Sequence, residues 1–212
     1  MQNSQYWIGP LCINPRLIPT EEHGAAFALV SSLHTVGQYV VRFHADLELF
    51  EQSRQRSRED WRAREWIFLA ARDGAMTLFH FGEFIDEGIR LDGCPTLAQR
   101  IDPKPMREAR SKFSKTFPHT RIIRHSIAHD GENKTPKRYF DENNFVNETN
   151  ITQIKIDPNA KIAISDSLFD NRYVITYDKS TFSYVLDENS LTLLHSIAKI
   201  YMSSFDNIAV KR

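Results

Sequence analysis

Cysteine is scarce in this chain. Cys12 and Cys94 are the only two in 212 residues. They form no CxxC pair and no zinc-type spacing, which excludes a disulfide scaffold and a thiolate metal knuckle. They read as free thiols in a reducing compartment. Long hydrophobic runs are missing too. The longest strongly apolar stretch, Trp66 to Ala71, is far too short to span a bilayer. No basic segment followed by a long apolar run opens the chain, so no signal peptide is expected. Nor is there an excess of one charge: 27 basic side chains balance 27 acidic ones. GxGxxG loops, Walker loops and GxSxG elbows do not occur, and neither does an internal repeat or a low-complexity tract. These absences lead us to expect a soluble, cytoplasmic protein with no membrane partner and no resident cofactor. In that compartment the glycosylation-type triplets at Asn147 and Asn150 carry little meaning.

What is present is an ordinary globular composition, 41% hydrophobic and 25% charged. It suits one domain large enough to bury a core without staples. Residues 1–19 are punctuated by Pro10, Pro15 and Pro19 and read as an extended arm. The remainder, residues 20–212, reads as a single domain. Thr20 offers an N-cap, with Glu21 and Glu22 in a first turn where the helix dipole favours acids. Then Leu29, Leu33, Val36, Val40, Phe43, Leu47 and Phe50 recur at alternating steps of four and three. That is a heptad seam, the signature of a long helix packed in a bundle.

Ser57 to Asp60 resembles a capping signal, after which Ala63, Ile67, Ala70, Gly74, Leu78, Phe81 and Ile85 make a second helical seam. Its small residues Ala70, Ala71, Gly74 and Ala75 would let a neighbouring helix approach closely. Gly88, Gly93 and Pro95 end it. Met106, Ala109, Phe113 and Phe117 predict a third helix. Pro118 breaks it, because proline is tolerated in a helix's first turn but not its interior. A fourth helical stretch follows from about Thr120 to His129, and residues 130–160 read as polar loop. Two β-rich runs, Arg172 to Tyr177 and Thr181 to Leu186, flank Asp178, Lys179 and Ser180 and predict a hairpin. Asp187 then caps a last helix with apolar positions Leu191, Leu194, Ala198, Tyr201 and Phe205. The expected fold is mainly α: a bundle of four or more helices with a small β-hairpin, about residues 172–186, before the C-terminal helix.

The neutral total conceals an asymmetry. Between Arg100 and Arg124 there are eight Lys/Arg against two acids, and between Asp141 and Glu188 nine acids against four Lys/Arg. Such a split suggests a face that attracts a polyanion. Solvated helix surfaces whose charges balance in three dimensions produce the same counts. Within the basic stretch lies the segment Arg121, Ile122, Ile123, Arg124, His125, Ser126, Ile127, Ala128, His129, Asp130. Arg121, His125 and His129 are four apart and fall on one helical face, with Arg124 one step round. Arginine binds phosphate oxygens in a fork, and histidine moves protons near neutral pH. Together they suit cleavage of RNA without a metal.

Arg124 through His129 resembles the arginine–polar–x3–histidine motif of HEPN domains, with an aliphatic residue before the arginine and an Ala-His ending. The large helical hairpin and the Phe-Pro lead-in at Phe117 and Pro118 resemble the AbiU2-like subgroup linked to abortive phage infection. The likeness covers most of residues 20–205 in layout and about ten residues in letters. It implies a helical bundle with the motif near a helix end. It also implies a metal-independent endoribonuclease of a toxin–antitoxin or phage-defence system, with RNA as partner, a homodimer with a composite site, and a possible antitoxin protein. Carried over, Arg124 binds phosphate and stabilises charge, His129 is the general acid/base or positioning residue, and His125 orients or assists the site. Arg121 lies outside the family motif and is an RNA-binding candidate on helical geometry alone. The other readings are a non-catalytic HEPN module for dimerisation or RNA binding, and an HD-type metal phosphohydrolase. The latter would draw on His125, His129 and Asp130 together with His34, His44 or His80. In a bland structural reading, Arg124 and His129 merely complement the carbonyl end of their own helix.

Overall fold

Every member of the first heptad seam, from Leu29 to Phe50, is buried. In the computed structural model these residues lie on one helix, α1 (His23–Arg56). The structure describes residues 6, 8–9, 11–88, 91, 93–129, 141, 144–146, 161–164 and 167–210. Helix α1 begins differently from expectation. Thr20–Glu22 forms a 3-10 turn, and no side chain caps α1. The Glu22 carboxylate instead accepts hydrogen bonds from the backbone N–H (3.2 Å) and hydroxyl (2.7 Å) of Thr96. That ties the start of α1 to a short helix, α3 (Pro95–Ala98), which the sequence pattern did not suggest.

Helix α2 (Trp61–Glu87) starts where Asp60 accepts from the Arg62 N–H at 2.9 Å. Its seam residues Ala63, Ala70, Gly74, Leu78, Phe81 and Ile85 are buried against α1 and the elements beyond. The small residues do admit a close neighbour, but at Gly74 that neighbour is a strand. A β-carbon there would lie 2.9 Å from the Tyr184 hydroxyl and 3.4 Å from Leu186. Gly88 ends α2 at a φ of 70°, which glycine adopts without steric cost.

Asp102 caps α4 (Pro103–Thr116), accepting from the Lys104 N–H at 2.9 Å, with Pro103 in the first turn. Pro118 separates α4 from α5 (Thr120–His129), as its chemistry requires. Most of residues 130–160, expected as loop, lie outside the described residues, as do Asn147 and Asn150. Within that region lies β1 (Phe145–Val146), which pairs antiparallel with β2 (Lys161–Ile162) just beyond it. The expected hairpin is β4 (Arg172–Tyr177) with β5 (Ser180–Val185), in register from Arg172 opposite Val185 to Tyr177 opposite Ser180. A further strand, β3 (Ser167–Phe169), joins β4 to make a three-stranded antiparallel sheet. Four successive residues of β4, Tyr173 to Thr176, are buried, as suits a central strand covered on both faces.

Asp187 caps the last helix, α6 (Glu188–Ser203), accepting from the Ser190 N–H at 2.8 Å. Leu191, Leu194, Ala198 and Tyr201 are buried along it, and Phe205 is buried in the turn that follows. One hydrophobic core joins residues from α1 to α6, the hairpin and the arm residue Tyr6. The arm also returns to the C-terminus, where Ile13 bridges Ala209. Among the described residues no helix is long and apolar enough to cross a membrane.

Candidate functional site

Helix α5 is held by its aliphatic residues. Ile123 is buried, and Ile127 packs partly buried against the core. The helix lies against α2 on one side and against β4 and β5 on the other. The chain enters it through His119, whose φ of 71° is left-handed. The His119 carbonyl accepts from the Ile122 (2.9 Å) and Ile123 (3.0 Å) N–H groups, which closes the first turn.

The two arginines of α5 face α2. The Arg121 Nε donates to Glu83 Oε1 at 2.7 Å, and its Nη2 lies 3.5 Å from Asp86 Oδ2. The side chain is exposed, and the Glu83 hydrogen bond holds the guanidinium still more firmly protonated. The Arg124 guanidinium carbon sits 5.4 Å from the centre of the Phe79 ring, within cation–π range. Its Nε is shielded from solvent and has no hydrogen-bond partner among the described residues. Phe79, Glu83 and Asp86 recur at helical spacing on α2, so one stripe of that helix receives both arginines.

His125 goes the other way. It is exposed, and its ring meets Tyr177 at the end of β4, 5.3 Å between centroids and nearly perpendicular. His129 is the last residue of α5, and its side chain lies outside the described residues. The four residues nominated from sequence thus share one short helix, but their partners divide. Arg121 and Arg124 meet α2, and His125 meets the hairpin. Arg121 and His125 lie one turn apart, as their spacing predicts, but Arg121 is drawn to the Glu83 and Asp86 carboxylates on α2.

Four neighbours escaped sequence reading. Phe79 lies off the α2 apolar seam, and an aromatic off its seam was the available signal. Glu83 and Asp86 sit on the same outer stripe. Tyr177 reads simply as a strand residue until the hairpin is docked on α5. His44, one of the histidines considered for a metal, lies 5.3 Å from Tyr6 and 3.7 Å from Glu48. His80 lies against Phe79. Among the described residues no group of three or more His, Cys, Asp or Glu is disposed to hold a metal ion.

The α5 surface can offer a fixed cation on an aromatic shelf, with an accessible imidazole on the same helix. That combination suits a phosphate and proton transfer beside it. No family model, curated protein or solved structure matches the chain.

Proposed function

We propose that this chain is a metal-independent endoribonuclease of HEPN type, cleaving RNA by attack of a 2′-hydroxyl on the adjacent phosphorus. The observation that carries the reading is Arg124. Its guanidinium rests on the Phe79 ring, no carboxylate pairs with it among the described residues, and its outer N–H groups can serve a phosphate. In the proposed step one imidazole removes the 2′-hydroxyl proton as the new P–O bond forms. A second proton donor protonates the 5′-oxygen as the old bond breaks. The products are a 2′,3′-cyclic phosphate and a free 5′-hydroxyl. Arg124 stabilises the charge on the pentavalent phosphorus, and His129 and His125 supply proton transfer and positioning. Arg121 is assigned a supporting role, holding α5 on α2, because Glu83 and Asp86 already match its charge. We propose further that the working form is a homodimer whose two motifs share a cleft, in a toxin or phage-defence setting.

A non-catalytic RNA-binding module is the second reading. It is favoured by the same Arg121 ion pairs, which give α5 a structural tie independent of any substrate. Rates with the purified full chain in EDTA separate the two. Arg124→Ala and His129→Ala each reduce cleavage at least about 100-fold with melting temperatures near wild type if the enzyme reading holds. Equal rates in wild type and both variants refute it.

A further inference from the structure

The sheet and α5 form a seam that reaches beyond the motif. His119 meets Phe182 of β5 at one point, 5.1 Å between ring centres. His125 meets Tyr177 at another. His119 stands just before the first turn of α5 and His125 lies within the helix. At the His119 end the seam opens into a groove of about 520 Å³ between the α4–α5 turn, the hairpin and the first turn of α6.

We infer that this groove seats one unpaired nucleotide of an RNA strand, its base against Phe182 and His119 and its phosphate against Arg172. The inference rests on the RNA chemistry proposed for α5 and adds to it the nucleotide flanking the cleaved bond. The following observations support it. The volume is in the range that holds a small organic ligand. Phe182 is half-buried and His119 exposed, so the wall offers π-faces of the kind on which unpaired bases stack. Arg172 is exposed and donates to the Ser183 hydroxyl at 3.1 Å, and no carboxylate pairs with it among the described residues. The acid in the lining, Asp187, has its carboxylate engaged by the Ser190 N–H and the Asn171 amide. His119 itself has a left-handed backbone, and strain of this kind accumulates at ligand sites. A strand leaving the groove along the seam passes His125.

The test uses the full chain with His129→Ala, so that RNA stays intact. Affinity for a fluorescein-labelled single-stranded RNA of about ten nucleotides is read by anisotropy, and binding of adenosine 5′-monophosphate by calorimetry. Phe182→Leu keeps apolar volume, Arg172→Gln keeps a polar stem, and His119→Asn keeps a residue that tolerates positive φ. Phe182→Leu and Arg172→Gln each weaken RNA binding about tenfold or more, with melting unchanged. With His129 restored, the same variants raise KM and leave kcat near wild type. Unchanged RNA affinity in folded variants overturns the inference, and so does binding of the mononucleotide without binding of RNA. Cleavage by wild type with variant-insensitive affinity refutes the groove and leaves the enzyme. Variant-sensitive RNA binding without cleavage by wild type refutes the enzyme and leaves the groove.

Discussion

Arg124 meets an aromatic face where Arg121, one turn earlier, meets two carboxylates. The consequence is a difference in what each can offer. A cation–π contact leaves the guanidinium's in-plane donors available, whereas an ion pair occupies them. Arg124→Lys therefore keeps the charge but loses the fork, and kcat on RNA falls by about 100-fold. Arg121→Gln lowers melting temperature slightly and leaves kcat within a few-fold, since its pairs are solvent-exposed and screened. Asp46 is a different case. It is buried on α1, accepts from the Thr77 hydroxyl at 3.3 Å and lies beside Asp73. Burial first, and then the Asp73 charge, push its carboxyl up to about 8, against which Thr77 and Arg42 act weakly. The folded value lies above the unfolded one, so protonation favours the fold. The contribution is complete below the ordinary carboxyl value of 3.8 and is lost as pH rises through about 8. Asp46→Asn flattens that dependence and gains melting temperature at pH 9 relative to pH 5. A parallel decline in wild type and variant contradicts this assignment.

Helices and strands show what spacing can and cannot reveal. The α1 seam, the break near Asp60, the proline break before α5 and the Asp187 cap were legible because each is a local property of a few side chains. Helix α3 was not, since Pro95 ends one element and opens another with the same chemistry. Strand β3 was not either, because three residues carry no period. The partners of Arg121 were hidden for another reason: Glu83 is 38 positions away, and the docking of α5 on α2 decides the pairing. Two tests belong at this scale. Gly82 lets the Phe113 ring reach 2.6 Å from where a β-carbon would be, so Gly82→Ala forces α2 and α4 apart and costs about 1–3 kcal/mol in chemical denaturation. The β4–β5 turn places Asp178 and Lys179 at φ of 46° and 59°, the primed geometry that favours Asp-Gly. Lys179→Gly raises stability by up to about 1 kcal/mol, measured the same way.

At the scale of the molecule, a net charge of +0 means that RNA is not drawn in by the protein as a whole. On the proposed reading the attraction comes from Arg124 on α5 and Arg172 on β4, and few phosphates are neutralised at once. Log affinity for single-stranded RNA should therefore fall with log salt at a slope of about −2, as about three phosphate contacts produce. A much steeper slope would place the RNA on a broader basic surface than α5 and its seam. The central claim remains chemical: Arg124 and His129 cleave RNA through its own 2′-hydroxyl. Its most direct test is to incubate a defined RNA with the purified chain in EDTA, beside the Arg124→Ala, His129→Ala double variant, and to identify the new ends. The account predicts fragments ending in 2′,3′-cyclic phosphate and 5′-hydroxyl from wild type and none from the variant. Intact RNA in both reactions, or the same fragments from both, would contradict it.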